Sequence, residues 1–237
     1  MTVNEPPTPA APRKAVRCRT DVVLLAVGLL VLALTALPVE RHSVPGAEQD
    51  VFEAVNDGPS VPFAPVWVLM QMGNVVIVAV ATLAALLWRK PRLAGGLAAG
   101  GVLVYVLAKV IKRFVVRGRP AALLADVVIR GDRAAGLGYV SGHAAVITVL
   151  AVVAAPYLSR RLRWAAYAVA FLVCVSRMYV GAHLPLDVIG GAGLGMAAGA
   201  VIRLAFGRPE PERAAVVVAP GAARGADAPN TDERPCS

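Results

Sequence analysis

The chain has 237 residues, of which 57% are hydrophobic and 16% are charged, and its mean hydropathy is +0.65. Soluble domains carry about 25% charged residues, so this composition excludes a soluble globular protein and predicts a chain whose solvent is the bilayer. The formal net charge of +9 does not indicate a nucleic-acid partner, because the basic residues lie in small clusters between apolar runs.

The N-terminal residues 1–20 are rich in proline and basic residues, so we predict a disordered cytoplasmic lead. Residues 22–37 form an uninterrupted apolar run, which with its flanks is long enough for a first transmembrane helix. The same run could be the apolar core of a cleaved secretory signal. We favour an uncleaved helix, because no clear small-x-small cleavage site precedes Pro38.

Residues 39–60 are the acidic part of the chain and predict an external loop. Within it, residues 47–55 form either a short surface helix or a simple solvated loop. A second span is predicted within residues 61–88. We expect its two strongly polar side chains, Gln71 and Asn74, to make interhelical hydrogen bonds.

A basic turn at residues 89–92 belongs in the cytoplasm by the positive-inside tendency. The third span, residues 93–111, contains small-xxx-small spacings such as Gly96 to Gly100, which let helices approach closely. These glycines lie inside an apolar run with no lysine and hydroxyl residue placed for a nucleotide, so we predict helix packing and no phosphate loop.

A basic cluster ends the third span. Its members are Lys109, Lys112, Arg113, Arg117 and Arg119. If the helices alternate in direction, the cluster lies on the external face, against the positive-inside tendency. An anionic ligand explains cations in that place, and acidic lipid headgroups are the alternative explanation. We expect Arg113 and Arg117 to be general surface charge.

The tripeptide Ser141-Gly142-His143 stands directly before a fourth apolar run, residues 144–158. A serine and a glycine ahead of a helix leave backbone N–H groups at its positive end, where a phosphate binds well. A plain helix cap is the alternative. A basic turn at residues 160–163 and a fifth span at residues 164–175 follow.

Residues 176–187 place ionisable side chains between two apolar runs. They are Arg177, His183 and Asp187, and they follow Ser176. Such groups are costly to desolvate at a membrane and therefore indicate a functional site, the alternative being a polar turn that faces water. The sixth span, residues 186–206, carries five glycines expected at close helix contacts, and residues 207–237 are predicted to be a disordered cytoplasmic tail.

The predicted fold is therefore an all-α, polytopic membrane bundle of about six transmembrane helices over residues 21–206. With both termini and the two basic turns in the cytoplasm, residues 39–60, 112–143 and 177–187 share the outer face. The unusual polar residues then lie on one side of the membrane. The glycine-rich faces pack helices within one chain or between two, so the sequence predicts no oligomeric state.

Three short motifs occur in order along the second half of the chain. They are Lys112 with Arg119-Pro120, then Ser141-Gly142-His143, and finally Ser176-Arg177 with His183 and Asp187. Together they resemble the three-part signature of the type 2 phosphatidic acid phosphatase (PAP2) superfamily, over residues 93–206. One departure is Val140, which stands where the family usually has proline and affects substrate fit more than chemistry.

The resemblance implies a metal-independent phosphatase with a histidine nucleophile and no cofactor. His183 would attack phosphorus while Asp187 holds its other ring nitrogen. His143 would protonate the leaving oxygen and then activate water. The implied phosphate-binding set is Lys112, Arg119, Ser141, Gly142 and Arg177. Two histidines and an aspartate could bind zinc in principle, but the surrounding cations would repel it.

The resemblance also implies the partners, which are a lipid phosphate or prenyl diphosphate as substrate and the membrane lipids around it. Undecaprenyl or another polyprenyl diphosphate, phosphatidic acid and phosphatidylglycerol phosphate all fit a site at the outer membrane edge. Two other functions stay open at this point. One is a lipid phosphotransferase that passes the phosphoryl group to an acceptor hydroxyl, and the other is a non-catalytic lipid-binding or transport protein.

Overall fold

A computed structural model describes residues 15–39 and 42–209, and most of these residues are helical. The described helices are α1 (Arg19–Ala36), α2 (Gly46–Asn56), α3 (Phe63–Gln71), α4 (Val75–Leu87), α5 (Pro91–Phe114), α6 (Pro120–Leu123), α7 (Gly142–Ala154), α8 (Arg160–Tyr179) and α9 (Pro185–Phe206). A short 3-10 turn, Ala155–Tyr157, extends α7. Two-residue strands, β1 (Ala15–Val16) and β2 (Arg208–Pro209), lie at the ends of the described chain.

Three of the described helices, α1, α5 and α9, are long and apolar enough to cross a membrane. Helices α3 and α4 together make a fourth candidate, with a bend of 60° between them. Helix α7 with its 3-10 turn is apolar but shorter, and α8 opens with arginines. The predicted all-α membrane bundle is confirmed, while only three or four of the six predicted spans have the length and composition of a membrane-crossing helix.

The bend in the second span lies at residues 72–74, where α3 ends and α4 begins. The side chain of Asn74 caps α4 by accepting a hydrogen bond from Val76 N at 3.2 Å, and it donates to Gln71 Oε1 at 3.3 Å. The hydrogen bonds predicted for this pair therefore join the two halves of one bent span. A Cβ added to Gly73 would lie 2.9 Å from His143 Cβ, so the bend packs directly against α7.

Helix α9 lies at the centre of the bundle and packs against α1, α7 and α5. Its glycines make these approaches possible. A Cβ added to Gly193 would lie 3.0 Å from Gly28 O on α1, and one added to Gly195 would lie 2.5 Å from Ala145 O on α7. Across the bundle, a Cβ on Gly100 would lie 2.9 Å from Val149 Cγ2. The close contacts predicted from the small-residue spacings are confirmed.

Helix α2 forms in the predicted external segment and is not a solvated loop. One stripe of the helix is buried, at Glu48, Phe52 and Asn56, and the four-residue spacing places these side chains on the same face. The Asn56 side chain accepts a hydrogen bond from Val128 N at 2.9 Å and donates to Tyr179 O at 3.0 Å. Helix α2 is therefore packed onto the end of the bundle where α8 stops.

The two ends of the described chain pair with each other, because β1 and β2 form an antiparallel ladder. Asp21, fully buried in α1, accepts a hydrogen bond from Arg208 Nε at 2.9 Å and lies 3.4 Å from Arg203 Nε. This ordered pairing at residues 15–20 and 207–209 departs from the predicted disordered lead and tail. The remainder of those two predictions falls on residues 1–14 and 210–237, outside the described residues.

Candidate active site

Five helix ends and the loops next to them bring the three motifs together. The positions are the last turn of α5 (Lys112), the N-cap of α6 (Arg119), the N-cap and first turn of α7 (Ser141, Gly142, His143), the last turn of α8 (Arg177), the α8–α9 loop (His183) and the first turn of α9 (Asp187). Direct contacts confirm the convergence. Ser141 N donates to Asp187 O at 2.8 Å, and Arg119 Nη1 lies 3.3 Å from His183 Nε2.

The turn between α8 and α9 places His183 against Asp187. Gly181 has a φ of +74°, a left-handed conformation that glycine adopts without strain, and it lets the chain reverse so that His183 N donates to Arg177 O at 3.2 Å. Pro185 then opens α9. Asp187 Oδ2 accepts a hydrogen bond from Leu184 N at 3.0 Å and lies 3.4 Å from His183 Nδ1.

The two neighbours of the His183 ring define its tautomer. A guanidinium can only donate, so Nε2 accepts from Arg119, and the proton of the neutral ring is on Nδ1, facing Asp187. Burial lowers the pKa of His183 to about 4, and the contact with Asp187, which raises the pKa, does not offset the loss of hydration. The ring is therefore neutral at pH 7, with a lone pair on Nε2.

Three cations of the site have neutral partners. Lys112 Nζ donates to Leu137 O at 2.8 Å and Gly138 O at 3.0 Å, Arg119 donates to Ala135 O and Ala182 O, and Arg177 Nη1 contacts Met70 Sδ at 3.0 Å. Among residues 15–39 and 42–209, none of the three forms an ion pair. Their positive charge is uncompensated, so the site favours an anion.

Two polar atoms of the site are buried and have no hydrogen-bond partner in the described part of the chain, namely Ser141 Oγ and Arg177 Nε. Ser141 is the N-cap of α7, yet its side chain accepts no capping bond, which contradicts the plain-cap alternative. Space is open around Gly142 where a Cβ would lie. Unpaired donors around an open helix N-terminus are what a bound phosphate oxygen would satisfy.

Sequence reasoning missed two residues next to the site, Arg117 and Glu48. The prediction that Arg117 is general surface charge is wrong, because its side chain is fully buried and donates to Glu48 Oε1 at 2.9 Å and Asp187 Oδ1 at 3.2 Å. The same prediction holds for Arg113, which is exposed. The hydroxyl of Ser176, which is buried, donates to Val173 O in its own helix at 2.7 Å.

The fold and this site define a helical membrane protein with a cluster of cations around a buried histidine at one end of its bundle. A model of the PAP2 superfamily matches residues 91–210, half of the chain, and the protein belongs to this superfamily. The match agrees with the region of resemblance predicted from the three motifs. Among the residues that the structure describes, no group of three or more His, Cys, Asp and Glu side chains could hold a metal ion.

Relatives and solved structures agree with this assignment. The chain is 32% identical, over 139 residues, to a lipid A 4'-phosphatase of Porphyromonas gingivalis. That match covers 52% of the chain and 57% of the relative, so the chain spans little more than half the length of the curated relative it matches.

Two crystal structures share the fold. LpxE of Aquifex aeolicus has a TM-score of 0.61 at 24% identity, covering 67% of this chain and 95% of that one. A transmembrane PAP2-type phosphatidylglycerolphosphate phosphatase of Bacillus subtilis has a TM-score of 0.58 at 22% identity, covering 78% of this chain and 95% of that one.

Proposed function

We propose that the protein is an integral membrane phosphatase that releases phosphate from a lipid phosphomonoester or polyprenyl diphosphate through a phosphohistidine, at the outer face of the membrane. One observation carries this proposal. The neutral ring of His183 lies between Asp187 on its Nδ1 side and Arg119 on its Nε2 side, in a site whose cations have no carboxylate partners. That arrangement suits an attack by Nε2 on a phosphorus atom held by the cations.

The first step forms a bond between His183 Nε2 and phosphorus and breaks the bond between phosphorus and the lipid oxygen. His143 donates a proton to that leaving oxygen. The ring of His183 gains positive charge as the bond forms, and the carboxylate of Asp187 stabilises it through the Nδ1 proton. In the second step His143 takes a proton from water, the water oxygen attacks phosphorus, and the P–N bond breaks to give inorganic phosphate and the neutral ring.

The remaining site residues bind the three non-bridging oxygens of the phosphoryl group. Lys112, Arg119 and Arg177 supply charge, and Ser141 Oγ and Gly142 N–H supply short-range donors at the N-terminus of α7. Because Arg119 already contacts His183 Nε2, a phosphoryl group that arrives there would take over this donor. The transition state gains most from such fixed donors, since they need no reorganisation.

A lipid phosphate is the substrate that this site favours. The cations lie at helix ends, where a headgroup can reach them while its apolar tails stay in the bilayer. The relatives named above carry lipid A and phosphatidylglycerol phosphate in their names, which supports the same substrate class for this chain. Phosphatidic acid and undecaprenyl or another polyprenyl diphosphate present the same chemical group.

The proposal is tested by phosphate release from a panel of these lipids by the purified protein. We expect turnover with at least one lipid phosphate or prenyl diphosphate, and we expect the rate to be unchanged when a chelator is added. Turnover that stops with chelator would contradict the metal-independent mechanism. Radiolabelled phosphate found on an acceptor hydroxyl, with no inorganic phosphate released, would instead identify a phosphotransferase.

The orientation in the membrane gives a separate prediction. In a variant without native cysteines, Asp132→Cys introduces a thiol into the exposed part of the α6–α7 loop. We expect an impermeant thiol reagent to label it in intact cells, because the proposed site faces outward. The matched control is Lys90→Cys, in the exposed basic turn between α4 and α5, which should be labelled only after lysis. The reverse pattern would place the site in the cytoplasm.

A further inference from the structure

Arg117 lies between two carboxylates that come from different parts of the chain. Its Nη1 atom is 2.9 Å from Glu48 Oε1 and 3.2 Å from Asp187 Oδ1, and its Nη2 atom donates to Glu48 Oε2. The side chains of Arg117 and Asp187 are fully buried, and that of Glu48 is 4% exposed. The three groups therefore form one desolvated chain of ion pairs that ends at the carboxylate next to His183.

This geometry separates Arg117 from the cations that are free to bind phosphate. Lys112, Arg119 and Arg177 donate to neutral acceptors, whereas both terminal nitrogens of Arg117 are held by carboxylates. An arginine that binds a carboxylate with two nitrogens is fixed in orientation as well as in position. Arg117 is thus placed to hold Asp187 and is not placed to contact a substrate.

Glu48 has a second contact that ties it to the same helix. Its Oε1 atom accepts a hydrogen bond from Leu186 N at 2.9 Å, in the first turn of α9. That backbone N–H has no partner within its own helix, so the carboxylate both satisfies it and lies at the positive helix end. Asp187 is the next residue along α9. Glu48 therefore fixes the start of α9 directly, and fixes the Asp187 side chain through Arg117.

We propose that Glu48 and Arg117 are positioning residues for the reaction. They hold the Asp187 carboxylate where it accepts a hydrogen bond from the Nδ1–H group of His183, so that the lone pair of the ring stays on Nε2, the attacking atom. The inference rests on the proposed function and adds to it a residue from α2, which lies outside the family match at residues 91–210. Glu48 orients Asp187 and does not contact the substrate. Its replacement should therefore slow the chemical step and leave substrate binding unchanged.

The first variant is Glu48→Gln, measured with a lipid phosphate that the wild-type protein hydrolyses. We expect kcat to fall about 10- to 100-fold, the range typical of such outer partners, while KM changes little. The matched control is Glu53→Gln, which makes the same chemical change on the same helix, where the carboxylate accepts a hydrogen bond from Gln49 at 2.7 Å. This control should keep the wild-type kcat.

Glu48→Gln leaves the buried Arg117 with one carboxylate fewer, which endangers folding. A second variant, Glu48→Gln with Arg117→Met, removes both charges of the outer pair and takes from the buried Asp187 carboxylate the arginine that holds it. We expect this protein to unfold at a lower temperature than the wild-type protein, and below that temperature to show at least the same loss of kcat, because Asp187 lacks its support. Retention of the wild-type kcat by this folded double variant would overturn the proposal.

A double-mutant cycle with Asp187→Asn separates positioning from a purely structural role. If Glu48 acts through Asp187, the loss of kcat caused by Glu48→Gln shrinks towards nothing once Asp187 is replaced. An equal loss in both backgrounds, or a loss confined to KM, would overturn the inference. Failure of the proposed function gives a different result, because the wild-type protein itself would then release no phosphate from any lipid of the panel.

Discussion

Replacing His183 with alanine is expected to lower kcat by about 10⁴-fold or more, because the substitution removes the nucleophile and leaves only binding and electrostatic stabilisation. The Nε2 atom of His183 faces Arg119, and its Nδ1 atom is held by Asp187. The measurement is phosphate release from a lipid phosphate in the presence of chelator, on protein with a wild-type thermal unfolding profile.

The control for this experiment is His42→Ala, since His42 is exposed in the segment before α2. It makes the same chemical change at a distance from the site and should keep full activity. When reactions with radiolabelled substrate are quenched, we expect label on the wild-type protein and on the His42 variant, and none on His183→Ala. Substantial turnover by His183→Ala would sink the phosphohistidine mechanism, whatever happens to the label.

The residues of the three motifs could be predicted because each motif is a local pattern at one helix end. The spacing from His183 to Asp187 is four residues, and the turn that ends in Pro185 places the two side chains at the same helix end. Helix ends of alternating direction then gather the motifs on one side. The local order of the motifs along the chain was therefore enough to name these residues.

Arg117 and Glu48 could not be predicted in the same way. Arg113 and Arg117 belong to the same basic cluster and are four residues apart in sequence, yet one is exposed and the other is fully buried. The difference arises from Glu48, which is 69 residues away in the chain. An acidic segment predicts a solvated loop by composition, and only the packing of Phe52 and Asn56 shows that this face of α2 is buried.

The fold shows the same division between local and distant causes. The hydropathy of α1, α5 and α9 predicted these helices well, since a long apolar run has little alternative in a bilayer. The second span was predicted as one run because residues 61–88 are apolar apart from a few side chains such as Gln71 and Asn74. The bend at residues 72–74 depends on how Gly73 packs against His143, a contact that hydropathy does not report.

Replacing His143 with alanine is expected to slow the hydrolysis of a lipid phosphate by about 10²–10⁴-fold, the usual contribution of a general acid or base. The effect should depend on the leaving group. A lipid alkoxide needs a proton as it leaves phosphorus. The nitrophenolate that leaves an activated aryl phosphate, nitrophenyl phosphate, does not. An activated aryl phosphate should therefore phosphorylate His183 in this variant at a rate close to that of the wild-type protein.

The second step requires His143 with either substrate, because water must lose a proton whichever substrate delivered the phosphoryl group. With the aryl phosphate, His143→Ala should release one nitrophenolate per site in a burst and then turn over slowly. The phosphoenzyme that accumulates should be labile in acid and stable in base, as a P–N bond is. Equal losses for lipid and aryl substrates, with no burst, would contradict the assignment of His143. A variant at His42, which is exposed and belongs to none of the three motifs, should show neither the burst nor the loss.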